Sequence, residues 1–176
     1  MKKIITIILI FFIGALLAPV MLKAQDNRIK KDAEKVKAEF IKTDKNMMSL
    51  FNDSYAYALF PNIGKGAIGV GGATGNGVVY EKGKYIGSSN MVQITVGLQL
   101  GGQAYGEVIF FENKDALDHF KENKLEFSGQ ASAVAAKEGA STNVKYRSGV
   151  MVFTQKKGGL MYEASIGGQK FTFKPS

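Results

Sequence analysis

Apart from Gly14, every one of the 21 glycines in this 176-residue chain lies between Gly64 and Gly168, and none lies between Gln25 and Ile63. Glycine weakens helices and supplies the positive φ angles of tight turns, so this asymmetry cuts the chain in two. The first part has helix-compatible composition, and the second reads as glycine-punctuated strands with one helical interruption. Val92, Ile94, Val96, Leu98 and Leu100 alternate with Gln93, Thr95, Gly97 and Gln99 before Gly101-Gly102. That pattern predicts a hairpin with a two-residue turn. Gly167-Gly168 repeats the device. A two-residue turn there would set Ile166 opposite Gln169, Ala164 opposite Phe171 and Tyr162 opposite Phe173, apolar members sharing one face.

The helical part, about residues 25–54, opens with an amphipathic helix expected over Asp26–Lys42. Ile29, Ala33, Val36 and Phe40 form a narrow apolar stripe, and the remaining surface mixes both charges. A short second helix containing Met47, Met48, Leu50 and Phe51 is expected after Thr43 or Asp44, either of which can cap it. The stripe has two open readings, packing on the sheet or insertion into lipid. Insertion of Ile29, Val36 and Phe40 would give about 1.5–3 kcal/mol each at best. A lysine near an anionic surface adds only about 1 kcal/mol. Hydrophobic insertion leads if the stripe is free, and the lysines lead if it is buried.

The β-rich part, about residues 55–176, is expected to break at Pro61-Asn62, turn at Gly75-Asn76-Gly77, and turn again at Lys82-Gly83. Asn113 should cap a helix from about Lys114 to Glu122 with Ala116, Leu117 and Phe120 buried. With no internal repeat and no flexible linker, the chain reads as one α+β domain. Its sheet is glycine-rich and mainly antiparallel, with an N-terminal amphipathic helix and one inserted helix.

Lys2 and Lys3 precede an uncharged apolar run from Ile4 to Leu22, and Leu22-Lys23-Ala24 ends in a small residue, the form of a signal peptide. Cleavage after Ala24 is expected, leaving residues 25–176; an uncleaved anchor is the alternative. Cysteine is absent, which excludes disulfide stapling and a lipid-modified cysteine. These features suit a periplasmic location, with peripheral membrane association or secretion also open. Loss of Lys2, Lys3 and Lys23 would lower the formal charge from +8 to +5. That excess favours anionic partners such as lipid headgroups and is too diffuse for nucleic acid.

The residues offer little chemistry for catalysis. Gly64-Lys65-Gly66-Ala67-Ile68-Gly69 matches the dinucleotide fingerprint, which has meaning only between a strand and a helix; a glycine-rich turn and strand is expected instead. His119 is the sole histidine, so a metal site would need carboxylates alone, and a serine hydrolase would have no other base. No catalytic residue, metal site or cofactor is predicted. Glu107 is harder to place: a two-residue turn at Gly101-Gly102 pairs it with Val96 on an apolar face, where a carboxylate is costly unless paired or functional. A bulge at Gly106 that turns Glu107 outward is the favoured expectation.

Four stretches together resemble the SYLF lipid-binding domain family. They are Ala58-Leu59-Phe60-Pro61-Asn62-Ile63-Gly64-Lys65-Gly66, the glycine-rich Ile68–Gly77, Val96–Gln103, and above all Gly158–Phe171. The likeness covers about residues 45–173. It implies binding rather than catalysis: acidic lipids, phosphoinositides among them, contacted by an amphipathic amino-terminal segment and by basic residues. Lys65 is the most transferable basic position, while Arg28, Lys30, Lys31, Lys35 and Lys37 correspond by location and character. Unlike eukaryotic members, this chain is expected to carry an export signal and no partner domain, so the ligand class carries over better than its identity. The function expected is non-catalytic binding of anionic phospholipid at a membrane surface. The alternative is a structural or protein-interaction domain without lipid specificity.

Overall fold

A computed structural model describes residues 26–64, 72–94, 104–125, 127, 132–156 and 164–176. The expected amphipathic helix, α1, covers residues 26–43, and α2 follows at Met47–Asp53. Neither Thr43 nor Asp44 caps α2; its N-cap position is Asn46, which makes no side-chain cap bond. Asp44 instead accepts from the Asn46 amide and reaches Ser141, while Thr43 accepts from Gln155 Nε2 at 2.7 Å.

The strands are β1 (Ala56–Gly64), β2 (Gly72–Glu81), β3 (Lys84–Ile94), β4 (Tyr105–Phe111), β5 (Ser132–Ala135), β6 (Val150–Lys156), β7 (Ala164–Ser165) and β8 (Gln169–Pro175). They run in the order β7-β5-β6-β4-β1-β2-β3-β8, antiparallel throughout except for the β5–β6 pair. Helix α3 (Lys114–Lys121) is the one inserted between strands, and Asn113 caps it as expected, accepting from the Ala116 amide at 3.0 Å. The α+β, mainly antiparallel architecture is therefore the one expected.

Strand β1 occupies a central place, with β4 on one side and β2 on the other. Pro61 does not end it. Proline lacks the amide that a central ladder needs, and sheets admit it at bulges. Both ladders of β1 slip there, between Leu59 and Asn62 against β2 and between Phe60 and Ile63 against β4. The glycines opposite serve that crowded spot. Gly75 and Gly77 lie within β2 rather than in a turn, and a Cβ on Gly77 would sit 2.6 Å from Phe60 Cδ1 and 2.9 Å from the Leu59 carbonyl. Close approach, not a positive φ, is what these two positions require. At Lys82-Gly83 the expected turn does form, with φ of 49° and 75°.

Two hairpin expectations are corrected. Strands β3 and β4 are not partners: β3 is flanked by β2 and β8, and β4 by β1 and β6. The Gly101-Gly102 turn itself lies outside the described residues. At Gly167-Gly168 the turn closes, with the Gln169 amide on the Ile166 carbonyl at 3.3 Å. Beyond it the strands part, so Ala164 pairs with Ala133 and Phe171 with Met91, while Tyr162 lies outside the described residues. Strands β7 and β8 are thus opposite ends of the sheet order joined by one tight turn, which requires the sheet to curl.

The curl has two apolar sides. Ala58, Phe60, Ile109, Phe111, Val152 and Phe171 gather on the inner side with Leu117 and Phe120 of α3. Tyr57, Leu59, Val108, Phe110 and Phe153 gather on the outer side under α1 and α2. Strand β4 is buried at every position, the consequence of being covered on both faces.

Candidate functional site

Helix α1 is held to the sheet by its stripe. Ala33, Val36 and Phe40 are buried and Ile29 is half-buried against the outer core. Val36 Cγ1 comes so close to the backbone of β4 that a Cβ on Gly106 would lie 2.9 Å from it. The reading of Ile29, Val36 and Phe40 as lipid-inserting residues is corrected for this conformation: burial of each apolar side chain is worth about 1.5–3 kcal/mol, and that gain is already taken by packing.

The basic residues of α1 divide into two sets. Lys30 and Lys37 turn inward onto aromatic rings. Lys30 Nζ lies 3.5 Å from the Tyr85 ring centroid, and Lys37 Nζ donates to the Tyr57 hydroxyl at 3.2 Å while sitting 4.9 Å from the Phe51 centroid. Tyr57 stacks on Tyr80 at 5.0 Å, and the Tyr80 hydroxyl donates to Glu34. Burial, then the Glu34 carboxylate, pushes the Tyr80 phenol up to about 12, so it stays a neutral donor. These contacts clasp the helix to β1, β2 and β3.

Arg28, Lys31 and Lys35 form the other set, exposed, and Lys42 is exposed beyond them. At 3.6 residues per turn, their spacings of three, four and seven place all four on one side, away from the sheet. Asp32 and Glu39 flank this basic face, and Lys35 Nζ lies 3.9 Å from Asp32 Oδ1 with both side chains open to solvent. Such a pair is weak and salt-screened, which leaves the face net positive. Lys65 lies outside the described residues.

The interior holds a polar cluster that the sequence patterns did not assemble. Glu107 is fully buried on the inner side of β4, opposite Phe60 of β1 and Thr154 of β6. The outward-turning bulge at Gly106 does not occur, because β4 keeps an unbroken register with β6; the bulge lies in β1 at Pro61. Glu107 Oε2 accepts from Gln169 Nε2 at 3.0 Å, and Gln169 Nε2 also lies 3.3 Å from Gln93 Oε1. The Tyr105 hydroxyl donates to the same Gln93 oxygen at 3.0 Å. Burial pushes the Glu107 carboxyl up to about 7, with the single bond from Gln169 opposing it. The alternation that placed Glu107 among apolar residues was the one signal for this cluster; Gln93 and Gln169 carried none.

His119 is exposed on α3, and among the described residues no group of three or more acidic, histidine or cysteine side chains is placed to hold a metal. The dinucleotide pattern opens at Gly64, the end of β1, and the next described element is strand β2 rather than a helix. No helix among the described residues is long and apolar enough to cross a membrane.

A family model described as Ysc84, Las17-binding protein actin regulator, matches residues 92–176. Over 126 residues, 69% of this chain, the sequence is 32% identical to Beta cell expansion factor A of Aeromonas veronii. The aligned region is 47% of that protein, so the chain spans about half the length of the curated relative it matches. The matched segment contains Gln93, Tyr105, Glu107, Thr154 and Gln169 and ends with β8; α1 and its basic face precede it. This match agrees with the resemblance carried by the glycine-rich stretches: residues 92–176 are similar to the Ysc84, or SYLF, domain family.

Proposed function

We propose that this chain is a non-catalytic module that binds anionic phospholipid surfaces through the exposed basic face of α1. The observation that carries the reading is the arrangement of α1 itself. Its apolar stripe is locked on the sheet, and Arg28, Lys31, Lys35 and Lys42 share the side facing solvent. Each basic residue near an anionic surface contributes about 1 kcal/mol, so the four give a few kcal/mol before the opposition of Asp32 and Glu39. Attraction of that kind is reversible and falls with salt. A phosphoinositide-like headgroup at Lys65, and a periplasmic address reached through the Lys2-Lys3 leader, are the finer parts of the proposal. The family resemblance supports the first, and the signal-like residues 1–24 support the second.

Flotation of the purified protein with phosphatidylcholine vesicles, with and without phosphatidylglycerol, tests the reading. The protein is expected to float with the acidic vesicles and to be released by salt. Joint replacement Arg28→Glu, Lys31→Glu and Lys35→Glu should lower acidic-vesicle partition at least about tenfold. The same variant should melt within roughly 2 °C of the wild type, since these side chains are exposed. Equal, weak association with both vesicle types would sink it. The family description favours a second reading in that event, a module that binds a protein partner, because its wording names Las17 binding and actin regulation.

A further inference from the structure

We propose that Glu107 is a proton-operated latch on the curled sheet: while its carboxyl is neutral the dry contact of β8 with β4 stays closed across the interior, and its ionisation, which places a charge in that apolar shell, loosens the end where β7 and β8 join. The topology makes this contact unusual. Strand β8 is separated from β4 by β1, β2 and β3 in the sheet order, so the two share no ladder. The Glu107–Gln169 hydrogen bond crosses the interior instead, and Gln93 and Tyr105 extend it from β3 back to β4. Gln169 is the first residue of β8, immediately after the Gly167-Gly168 turn that joins the two ends of the sheet order. The latch therefore sits at the seam of the curl.

The surroundings favour the neutral form. Phe60, Ile109, Val152 and Phe171 line the same side, and Glu107 takes part in no ion pair among the described residues. Glu107 Oε1 and Thr154 Oγ1 are both buried without a hydrogen-bond partner. Thr154 is directly opposite in the β4–β6 register, and such pairs have Cβ atoms about 4.5–5.5 Å apart. The two oxygens make no hydrogen bond to each other, so a proton on Glu107 Oε1 removes a buried charge that no described residue on that side pairs. Among the described residues an ionised carboxylate would have one donor, Gln169 Nε2, and no counter-charge, a costly state in an apolar shell.

Among the described residues the other titratable groups facing this side are few. Tyr105 on β4 is itself held neutral by burial and then by Glu107. Lys156 on β6 shares the face of Thr154 at the half-exposed strand end, opposite Tyr105. From β1, β3 and β8 the facing residues are Phe60, Ile63, Gln93, Gln169 and Phe171, none of which titrates. With burial lifting the carboxyl to about 7, the change of state falls near neutral pH. This inference rests on the interior cluster and is independent of the lipid reading, which rests on α1.

Amide hydrogen exchange of the full chain, corrected for the intrinsic pH dependence of exchange, reads the latch directly. Between pH of about 5.5 and about 8.5, protection at Gln169–Phe173 should fall at least about tenfold, the factor set by one pKa unit of differential interaction. Protection at Ala58 and Val79 in the central strands should change less. In Glu107→Gln, which keeps a neutral side chain of the same shape, β8 protection should not vary with pH. Flat protection in the wild type, or an equal pH response in both proteins, would overturn the proposal. Carboxyl carbon NMR of the wild type gives a second readout that needs no variant. A Glu107 carboxyl titrating in the ordinary range, near 4.5, would overturn it as well.

Discussion

Val36→Asp separates a packed stripe from a membrane-facing one, because the two assign its cost to different measurements. Val36 is 6% exposed and rests on Gly106 of β4 within the outer core. Replacement removes an apolar side chain whose burial is worth about 1.5–3 kcal/mol. It also introduces a polar group with no partner beside it; left neutral and unsatisfied, such a group costs about 1–3 kcal/mol more. The sum, about 2.5–6 kcal/mol, is a large part of the 5–15 kcal/mol typical of a domain. At about 2–4 °C per kcal/mol for a domain of this size, melting followed by circular dichroism should fall by about 5–20 °C. Vesicle binding measured well below the melting temperature should survive, since Arg28, Lys31 and Lys35 are untouched. A variant that melts within about 2 °C of the wild type but no longer floats would refute the packing argument and return the stripe to the membrane.

Two further outcomes test the sheet and the helix junction. Gly77→Ala should cost about 1–3 kcal/mol by overpacking, read as a lowered melting temperature, because the new methyl would meet both the Phe60 ring at 2.6 Å and the Leu59 carbonyl at 2.9 Å; Gly83→Ala, with no atom within 4 Å but φ of 75°, reports positive-φ strain without crowding. Asp44 is raised by its burial but lowered more by bonds from the Ser141 amide and hydroxyl and the Asn46 and Gly139 amides, so its net shift is downward from 3.8. A depressed carboxylate contributes stability above its unfolded pKa and loses it as pH falls through the folded one. Denaturation midpoints should therefore drop below pH of about 4 in the wild type and less so in Asp44→Asn, with Asp44→Ala costing about 1–3 kcal/mol at neutral pH.

Local signals in the sequence were read correctly where local physics decides. The stripe of α1, the Asn113 cap, the buried face of α3 and the Lys82-Gly83 turn each depend on residues within a turn or two of one another. Pairing between distant strands was not legible. Alternation identified β3 and the apolar run of β4 as strands, yet adjacency in sequence suggested a hairpin, whereas β1 and β2 lie between them in the sheet. Pro61 and the Gly75–Gly77 stretch misled for one shared reason. Each looks like punctuation alone, but together they form a single device in which a proline bulge in β1 is accommodated by side-chain-free positions of β2. Nothing in either segment announces the other.

The same limit explains the site. The basic character of α1 was visible, but which lysines face solvent depends on Tyr57, Tyr80 and Tyr85, whose strands arrive later in the chain and capture Lys30 and Lys37. Glu107 was flagged by its place in an apolar alternation, while its partner Gln169 stands 62 residues away. A bulge at Gly106 was the natural escape for a carboxylate on that face, and the structure shows why it does not occur. Val36 occupies the opposite side of that residue at a distance that leaves no space for a Cβ, so Gly106 is glycine to seat α1 rather than to bend β4. With β4 straight, the alternation must carry Glu107 inward. The helix that presents the basic face and the strand that buries the carboxyl are therefore fixed by one contact, and the buried carboxyl is a consequence of how closely α1 is held.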